Sequence, residues 1–473
     1  MKKIIILAFA LGSLSSCKDF LRIEPVQQIS IKTELSTKKG VLEALNGAYY
    51  NLRSTEFTMA AFTYGDLLSG NLNFSPNSGI NPGVVSPPIN VDLLYDFDDD
   101  KNSSELAYFY GDSYALINNL NLILENLDAV PDATTEEKNE IKAETLALRA
   151  YVHFQLYKIY AQNYTYTPDA SHMGIAYVNK TLKVGIDYPA RNTAKETFNF
   201  LEADVNEAIP LFQNSPAIPA GEAKNFMSKY ATEVLAAKIA LWKNDWQTAF
   251  NYSDDIIKNS GISLALSADY LSTFAVKESI LELPTTADDS SYLDALYNFG
   301  NGTYSEFTLS PDVFNLFETD DTRKMLYEKQ SLNTKVGSAT VKLDYLFPTK
   351  YKTGTKGLIY RLSEVYFIRA EAALHLNKIT EATQDVNKIR NRAGLADLNI
   401  PLTIDVLLNE KRKEFPMENK YFFDLMRNHK NVVRNSGCIS TNCSPTYPND
   451  KFVAPIPQSA VEINSNIIQN PGY

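Results

Sequence analysis

Histidine is scarce. The chain holds four, His153, His172, His375 and His429, and none has a partner at metal-ligand spacing. No phosphate loop, dinucleotide fingerprint or nucleophile elbow occurs, so nucleotide-dependent and serine-hydrolase chemistry have no motif to rest on. Basic charge is in deficit, with a net charge of −11. That acidity, without a basic patch interleaved with aromatics, argues against nucleic acid as a partner. Tryptophan is confined to Trp242 and Trp246, although there are 28 Tyr and 24 Phe to supply a core. Cysteine is limited to Cys17, Cys438 and Cys443, a usage that fits an exported protein.

What is present begins at the N-terminus. Lys2 and Lys3 precede an apolar run from Ile4 to Leu11, too short to span a bilayer. Leu14-Ser15-Ser16-Cys17 then reads as a lipobox. Cleavage after Ser16 would leave Cys17 acylated and the protein held to a membrane by lipid. Residues 1–16 contain two lysines, so their loss brings the net charge to −13. Cys438 and Cys443 lie in a polar loop, N-S-G-C-I-S-T-N-C-S-P. A short-loop disulfide is the reading here, with two free thiols or a metal pair as alternatives; no nearby His completes a metal set.

The most patterned stretch runs from Tyr360 to Arg427. Leu362, Val365, Tyr366, Arg369, Ala373 and Leu376 recur at helical spacing. Asn377-Lys378 breaks the pattern, and a second helix follows from about Thr380 to Arg392, with Gly394 as a left-handed C-cap. Thr403 opens a third helix and Pro416 stops it. The first two helices have an echo at a shift of 133. Leu241 falls on Leu374, Asn244 on Asn377, Trp246 on Ile379, Ala249 on Ala382 and Ile256 on Ile389. The unit is about 34 residues long, the size of a tetratricopeptide repeat, and such pairs must stack to bury their apolar faces.

Elsewhere, helices are expected over Thr37–Leu52, Ser103–Leu127, Thr134–Ala161 with Glu137 in capping-box position, Thr193–Leu211, Glu222–Asn244 and Trp246–Asn259. Phe57–Asp100 reads as a long irregular excursion rich in Gly, Pro, Asn and Ser, and Asp98-Asp99-Asp100 as a solvated acidic turn rather than a calcium loop. Asn163–Pro189 is a second loop. From Ser260 to Lys356 helical periodicity fades; Glu278–Glu282 resembles a short strand, and Pro311 a helix N1 residue. The acids Glu410, Glu414, Glu418 and Asp424 alternate with Lys411, Arg412, Lys413 and Arg427, which reads as structural ion pairing along helices rather than a glycosidase pair.

These residues carry a resemblance. Arg361, Glu364-Val365, Ala370-Glu371-Ala372, Asn387, Ile389-Arg390, Arg392-Ala393-Gly394, Glu410, Arg412, Glu414, Glu418, Phe423-Asp424-Leu425 and Arg427 resemble the C-terminal signature of the SusD/RagB family. These are outer-membrane nutrient-binding lipoproteins of Bacteroidetes. Asn419 departs from it, standing where the family usually has Gly, as does Tyr421 where Arg is frequent. Further matches are A-L-N-G-A-Y in the first helix and L-R-A-Y around Leu148-Arg149-Ala150-Tyr151. The closing Phe452–Pro457 and Gln469–Tyr473 segments match as well.

The resemblance implies an all-α-dominated fold of about four tetratricopeptide-like helix pairs, with long irregular loops on one side. A signal peptide over 1–16 would precede a body over 17–473. Within that body, 17–259 forms the N-terminal part, 260–356 a loop-rich segment and 357–473 the signature part. It implies a surface lipoprotein on the outer membrane that binds an oligosaccharide and delivers it to a SusC-like TonB-dependent transporter, without enzymatic activity or cofactor. A peptide ligand and a mainly structural lid are the alternatives. The family's ligand contacts do not transfer residue by residue, so candidates come from loop composition. They are Asp66, Asn71, Asn73, Phe74 and Tyr95 in the first excursion, and Tyr292, Tyr297, Phe299 and Tyr304 in the second. Aromatic faces would stack on sugar rings, and amides and carboxylates would bind hydroxyls. The lack of Trp in these loops weakens the glycan reading, though Tyr can also stack.

Overall fold

The computed structural model describes residues 31–77, 81–88, 91–104, 106–213, 215–218, 222–273, 276–283, 292–299, 305–351 and 357–473. Its body is a run of helix pairs. They are α1 (Lys38–Asn51) with α2 (Ala107–Leu127), α3 (Thr135–Tyr160) with α4 (Ala194–Ala208), α5 (Lys229–Trp242) with α6 (Trp246–Asn259), and α7 (Leu362–His375) with α8 (Ile379–Arg392). Each pair packs on the next, so the apolar faces close against neighbours. The shorter α9 (Ile404–Glu414) and α10 (Tyr421–Arg427) follow.

Local chemistry explains the boundaries. Thr134 and Thr193 close capping boxes with Glu137 and Glu196. Thr37 and Thr403 accept from the backbone N–H groups of Gly40 and Val406. The repeat of 133 holds at both ends of both helices in α5–α6 and α7–α8. Asn244 and Asn377 take the same left-handed conformation at the two turns, with φ of +60° and +59°. Asparagine tolerates that region better than other side chains. Ala240 and Ala373 each accept the second backbone bond of the turn, from Asp245 and Lys378 at 2.9 and 2.8 Å. Trp242 is buried, and Trp246 stacks on His375 with ring centroids 3.8 Å apart. α3 is buried around nearly its whole circumference from Glu140 to Tyr160, because it lies at the centre of the stack.

The excursion from Phe57 to Asp100 is more ordered than its composition predicts. It holds the short helices Thr55–Phe62, Tyr64–Ser69 and Asp92–Tyr95 and the strand β1 (Leu72–Phe74). Asp99 is buried there and accepts from Ser104 Oγ at 2.6 Å, so the acidic turn is not solvated throughout. The remaining strands are β2 (Ser279–Leu283), β3 (Phe307–Leu309), β4 (Tyr327–Val336), β5 (Ala339–Pro348) and β6 (Gly357–Arg361). They pair antiparallel as β1–β3, β2–β6 and β4–β5.

The acids between Glu410 and Asp424 find partners mostly on other elements. Arg361 contacts Glu278, Glu414 and Glu418 at 2.7–2.8 Å. Arg392 bridges Glu278 and Glu414, Arg323 joins Asp321 to Glu414, and Lys350 reaches Glu418. Four cations thus meet four carboxylates, all buried. A second group links Arg427 and Lys411 to Glu371 and Asp424. Of these acids, among the described residues, only Glu410 with Lys413 and Asp424 with Arg427 pair within their own helix.

This arrangement sets a pH profile. Burial alone would raise the carboxyl of Glu364, but Lys238 and Lys420 outweigh it and hold the group at about 2; Arg427 and Lys411 do the same for Glu371. A depressed carboxylate contributes stability above its unfolded pKa of about 4.3, lost as pH falls toward the folded value. Burial pushes Glu144 up to about 8 against hydrogen bonds from Tyr49 and Ala217, and Asp66 up to about 6. Raised carboxyls contribute stability at low pH that is lost as pH rises through their folded values. The melting temperature is therefore expected to peak at about pH 4–5 and fall on both sides. Thermal unfolding from acid to alkaline pH checks this; a steady rise to alkaline pH would contradict it.

Candidate functional site

Of the candidate ligand residues, five are interior. Asp66 accepts from Asn71 Nδ2 at 2.6 Å and from the Asn419 N–H at 2.7 Å. Asn71 Oδ1 accepts from Arg412 Nε at 2.9 Å. The Phe74 ring packs edge-on against Tyr95 at 4.8 Å and tilted against Phe307 at 5.7 Å. Tyr95 lies under the Arg434 guanidinium, 4.3 Å from the ring centroid, and its hydroxyl accepts from the Ile439 N–H. Tyr297 is fully buried and stacks on Tyr351 at 5.1 Å. These side chains build the framework under the loops and offer no open face to a ligand. The composition of the excursion is that of an exposed loop, but its aromatics turn inward once the short elements fold back on α10 and β3.

Asn73 and Phe299 are only half-buried. Asn73 Nδ2 donates to the Ser436 carbonyl at 3.2 Å, and Phe299 rests on Phe347 at 4.8 Å. Tyr292 opens the helix Tyr292–Tyr297. Tyr304 and Cys17 lie outside the described residues.

The two excursions converge. β1 and β3 pair Asn73 with Thr308 and Phe74 with Phe307. A third segment joins them, one that composition did not single out for binding. Asp312 accepts from the N–H groups of Asn435 and Ser436, and Arg434 donates to the Tyr95 carbonyl at 2.8 Å. Gly437, at φ +74°, lies against Asn73; a Cβ there would come within 2.1 Å of Asn73 Nδ2. A disulfide joins Cys438 and Cys443. The resulting loop face exposes Asn435, Ile439 and Asn442 beside the half-buried Asn73. The two cysteines in a polar loop were the sequence signal for this third segment.

A separate open groove of about 430 Å³ lies between α2, the 182–189 loop and the helix Gln458–Ile463. Tyr110, Tyr114, Tyr188, Val184, Ile463 and Ile467 line it. Several of its polar groups are already engaged. Asn118 Oδ1 accepts from the Leu182 N–H, Asn464 Nδ2 donates to the Pro189 carbonyl, and Tyr114 donates to the Ala176 carbonyl. Val184 is fully exposed, and Ile186 and Ile463 about three-quarters so.

His153 is fully buried and stacks on Tyr177 at 3.8 Å. The Val178 N–H donates to its Nε2, so its Nδ1–H donates to the Arg149 carbonyl, and burial holds its pKa down at about 3. Among the described residues no group of three His, Cys, Asp or Glu side chains is placed to hold a metal ion. Glu410, Glu414, Glu418 and Asp424 sit in ion pairs rather than across an open cleft.

A model of the SusD family matches residues 343–473, and a second, described as starch-binding and associating with the outer membrane, matches residues 23–241. The chain belongs to the SusD family. It is similar to SusD-like protein P25 of Formosa agariphila, at 23% identity over 90% of each chain. It is 32% identical to the starch-binding protein SusD of Bacteroides thetaiotaomicron over 120 residues, 24% of this chain and 21% of that one. A solved SusD superfamily protein from Bacteroides vulgatus superposes with a TM-score of 0.80 at 26% identity, covering 92% of this chain and 99% of that one. The SusD signature in the C-terminal part coincides with the two buried ion groups: Arg361, Arg392, Glu414 and Glu418 belong to the first, and Glu371, Asp424 and Arg427 to the second. In this SusD-family chain the signature is therefore a device of folding. Among the described residues no helix is long and apolar enough to cross a membrane.

Proposed function

We propose that this SusD-family protein is a surface lipoprotein, anchored through Cys17, that captures an oligosaccharide on its loop face and passes it to a SusC-like TonB-dependent transporter. The observation that carries this reading is the convergence of β1, β3 and the segment holding the Cys438–Cys443 disulfide around the half-buried Asn73, with Phe299 resting on Phe347 of β5, which packs on β3. Loops held on a rigid scaffold suit recognition. The description of the N-terminal family model and the name of the Bacteroides thetaiotaomicron relative support carbohydrate as the ligand class.

The test is calorimetric titration of residues 18–473 with panels of oligosaccharides and short peptides. A saturable signal with one glycan class is expected. Phe299→Ala and Asn73→Ala should each weaken it about tenfold, or about 1.4 kcal/mol. A signal from peptides alone would replace the glycan by a peptide ligand. The apolar character of the groove around Tyr110 and Val184 favours a second reading, a lid whose main contacts are with the transporter. Silence across both panels, followed by capture once the transporter is present, would establish that reading.

A further inference from the structure

A cavity of about 50 Å³ lies inside the solenoid, between α3, α5, the start of α7 and the Asn419–Phe423 turn. The charges on its wall do not balance. Glu364 gives one oxygen to Lys238 and the other to Lys420, a single carboxylate against two ammoniums. Lys411 and Arg427 are matched by Asp424 and Glu371. Lys158, on α3, is matched by nothing. Among the described residues its Nζ has no hydrogen-bond acceptor, only the ring faces of Phe423 at 4.5 Å and Phe154 at 5.8 Å. Nearly one turn back on the same face, Gln155 is 7% exposed. Its Nε2 donates to the Tyr151 hydroxyl at 2.7 Å, while its other amide atom has no partner.

We propose that this cavity binds a carboxylate-sized anion, with Lys158, Lys238 and Lys420 as its counter-charges. A half-buried ammonium with no acceptor beside two other lysines is costly, and an anion supplies the missing charge. Burial, with Lys238 and Lys420 nearby, pushes the Lys158 ammonium well down, and Glu364 opposes this only in part. A bound anion would restore the protonated form. With the Gln155 amide turned over, its NH₂ becomes a further donor while Tyr151 donates to the oxygen. At about 10–15 Å³ for one water, the space holds a few waters and so admits a carboxylate group. A larger ligand would engage the lysines through an anionic arm. Lys158, Lys238 and Lys420 are each partly exposed and leave that path open.

The experiment is titration of residues 18–473, at fixed ionic strength, with acetate, with glucuronate (the same carboxylate on a pyranose) and with glucose. Saturable acetate binding is expected, with glucose silent. Lys158→Met, which keeps the packing on Phe154 and Phe423, should weaken acetate about tenfold or more. Lys39→Met, on the surface, should leave it unchanged. Glucuronate binding as well as acetate identifies the arm of a saccharide; acetate alone identifies a free small anion. Either supports the site. No saturable acetate binding by the wild-type chain, or binding undiminished in Lys158→Met, overturns it. Should Lys158→Met fail to fold, bromide soaked into wild-type crystals decides: an anomalous peak in the cavity supports the site, and its absence overturns it.

Discussion

Arg361→Met should cost the fold about 3–5 kcal/mol and lower its melting temperature by several degrees. Arg361 is 1% exposed and touches three carboxylates, those of Glu278, Glu414 and Glu418, at 2.7–2.8 Å; it also donates to the Glu414 carbonyl at 3.0 Å. Methionine fills much of its volume but leaves three buried acids with only Arg392, Arg323 and Lys350 between them. The penalty comes from the acids left behind, not from the lost cation. Arg361→Lys should fall in between, since one ammonium cannot span three carboxylates as the planar fork does. The loss should shrink in acid, where the carboxyls begin to protonate. Urea unfolding of the three proteins at neutral and acid pH measures all of this. A cost under about 1 kcal/mol for Arg361→Met would mean that the network is not what holds these elements together.

Asn419→Ala should be nearly as damaging, at about 3–5 kcal/mol, and Asn419→Gly less so, at about 2–4 kcal/mol. Asn419 is 3% exposed at φ +57°, a conformation glycine adopts freely. Its side chain holds the break between the two short helices of the first excursion. Oδ1 accepts from the Gly65 N–H and Nδ2 donates to the Ala60 carbonyl, while its backbone N–H donates to Asp66. A Cβ at Gly65 would come within 2.6 Å of Oδ1, so only glycine permits the approach. Glycine at 419 keeps the turn but orphans two buried backbone groups; alanine orphans the same two and adds left-handed strain. Comparative denaturation tests the ranking. If the glycine variant proved less stable than the alanine variant, backbone conformation would not be the issue at this position. Asn419 thus offsets the strain of its left-handed backbone with two hydrogen bonds.

How far the sequence could be read depended on the range of the cause. The α7–α8 hairpin, its Asn377 turn and its echo around Asn244 were legible because turn conformation and helix spacing are local properties. So were the caps at Thr134, Thr193 and Thr403. The β4–β5 hairpin was not. Most of its side chains are exposed on both faces, so no apolar alternation marks the strands, and only the two-residue Gly337-Ser338 connection betrays it. Pairing of Glu410, Glu414 and Glu418 was expected along their own helix. Of these, Glu410 pairs with Lys413 but Glu414 and Glu418 reach to β6, α8 and Lys350.

By itself, then, the sequence determined the helical repeat, the ends of its helices and the family, because each rests on neighbours within a few turns or on an ordered signature. Tertiary structure alone decided which loop residues are available to a ligand. Asp66, Phe74, Tyr95 and Tyr297 have the composition of a binding loop, yet segments distant in sequence, around Phe307, Tyr351, Asn419 and Arg434, enclose them. It also decided that Lys158 lacks a counter-charge. Burial and charge balance are sums over everything that surrounds a side chain, and most of what surrounds these lies far along the chain.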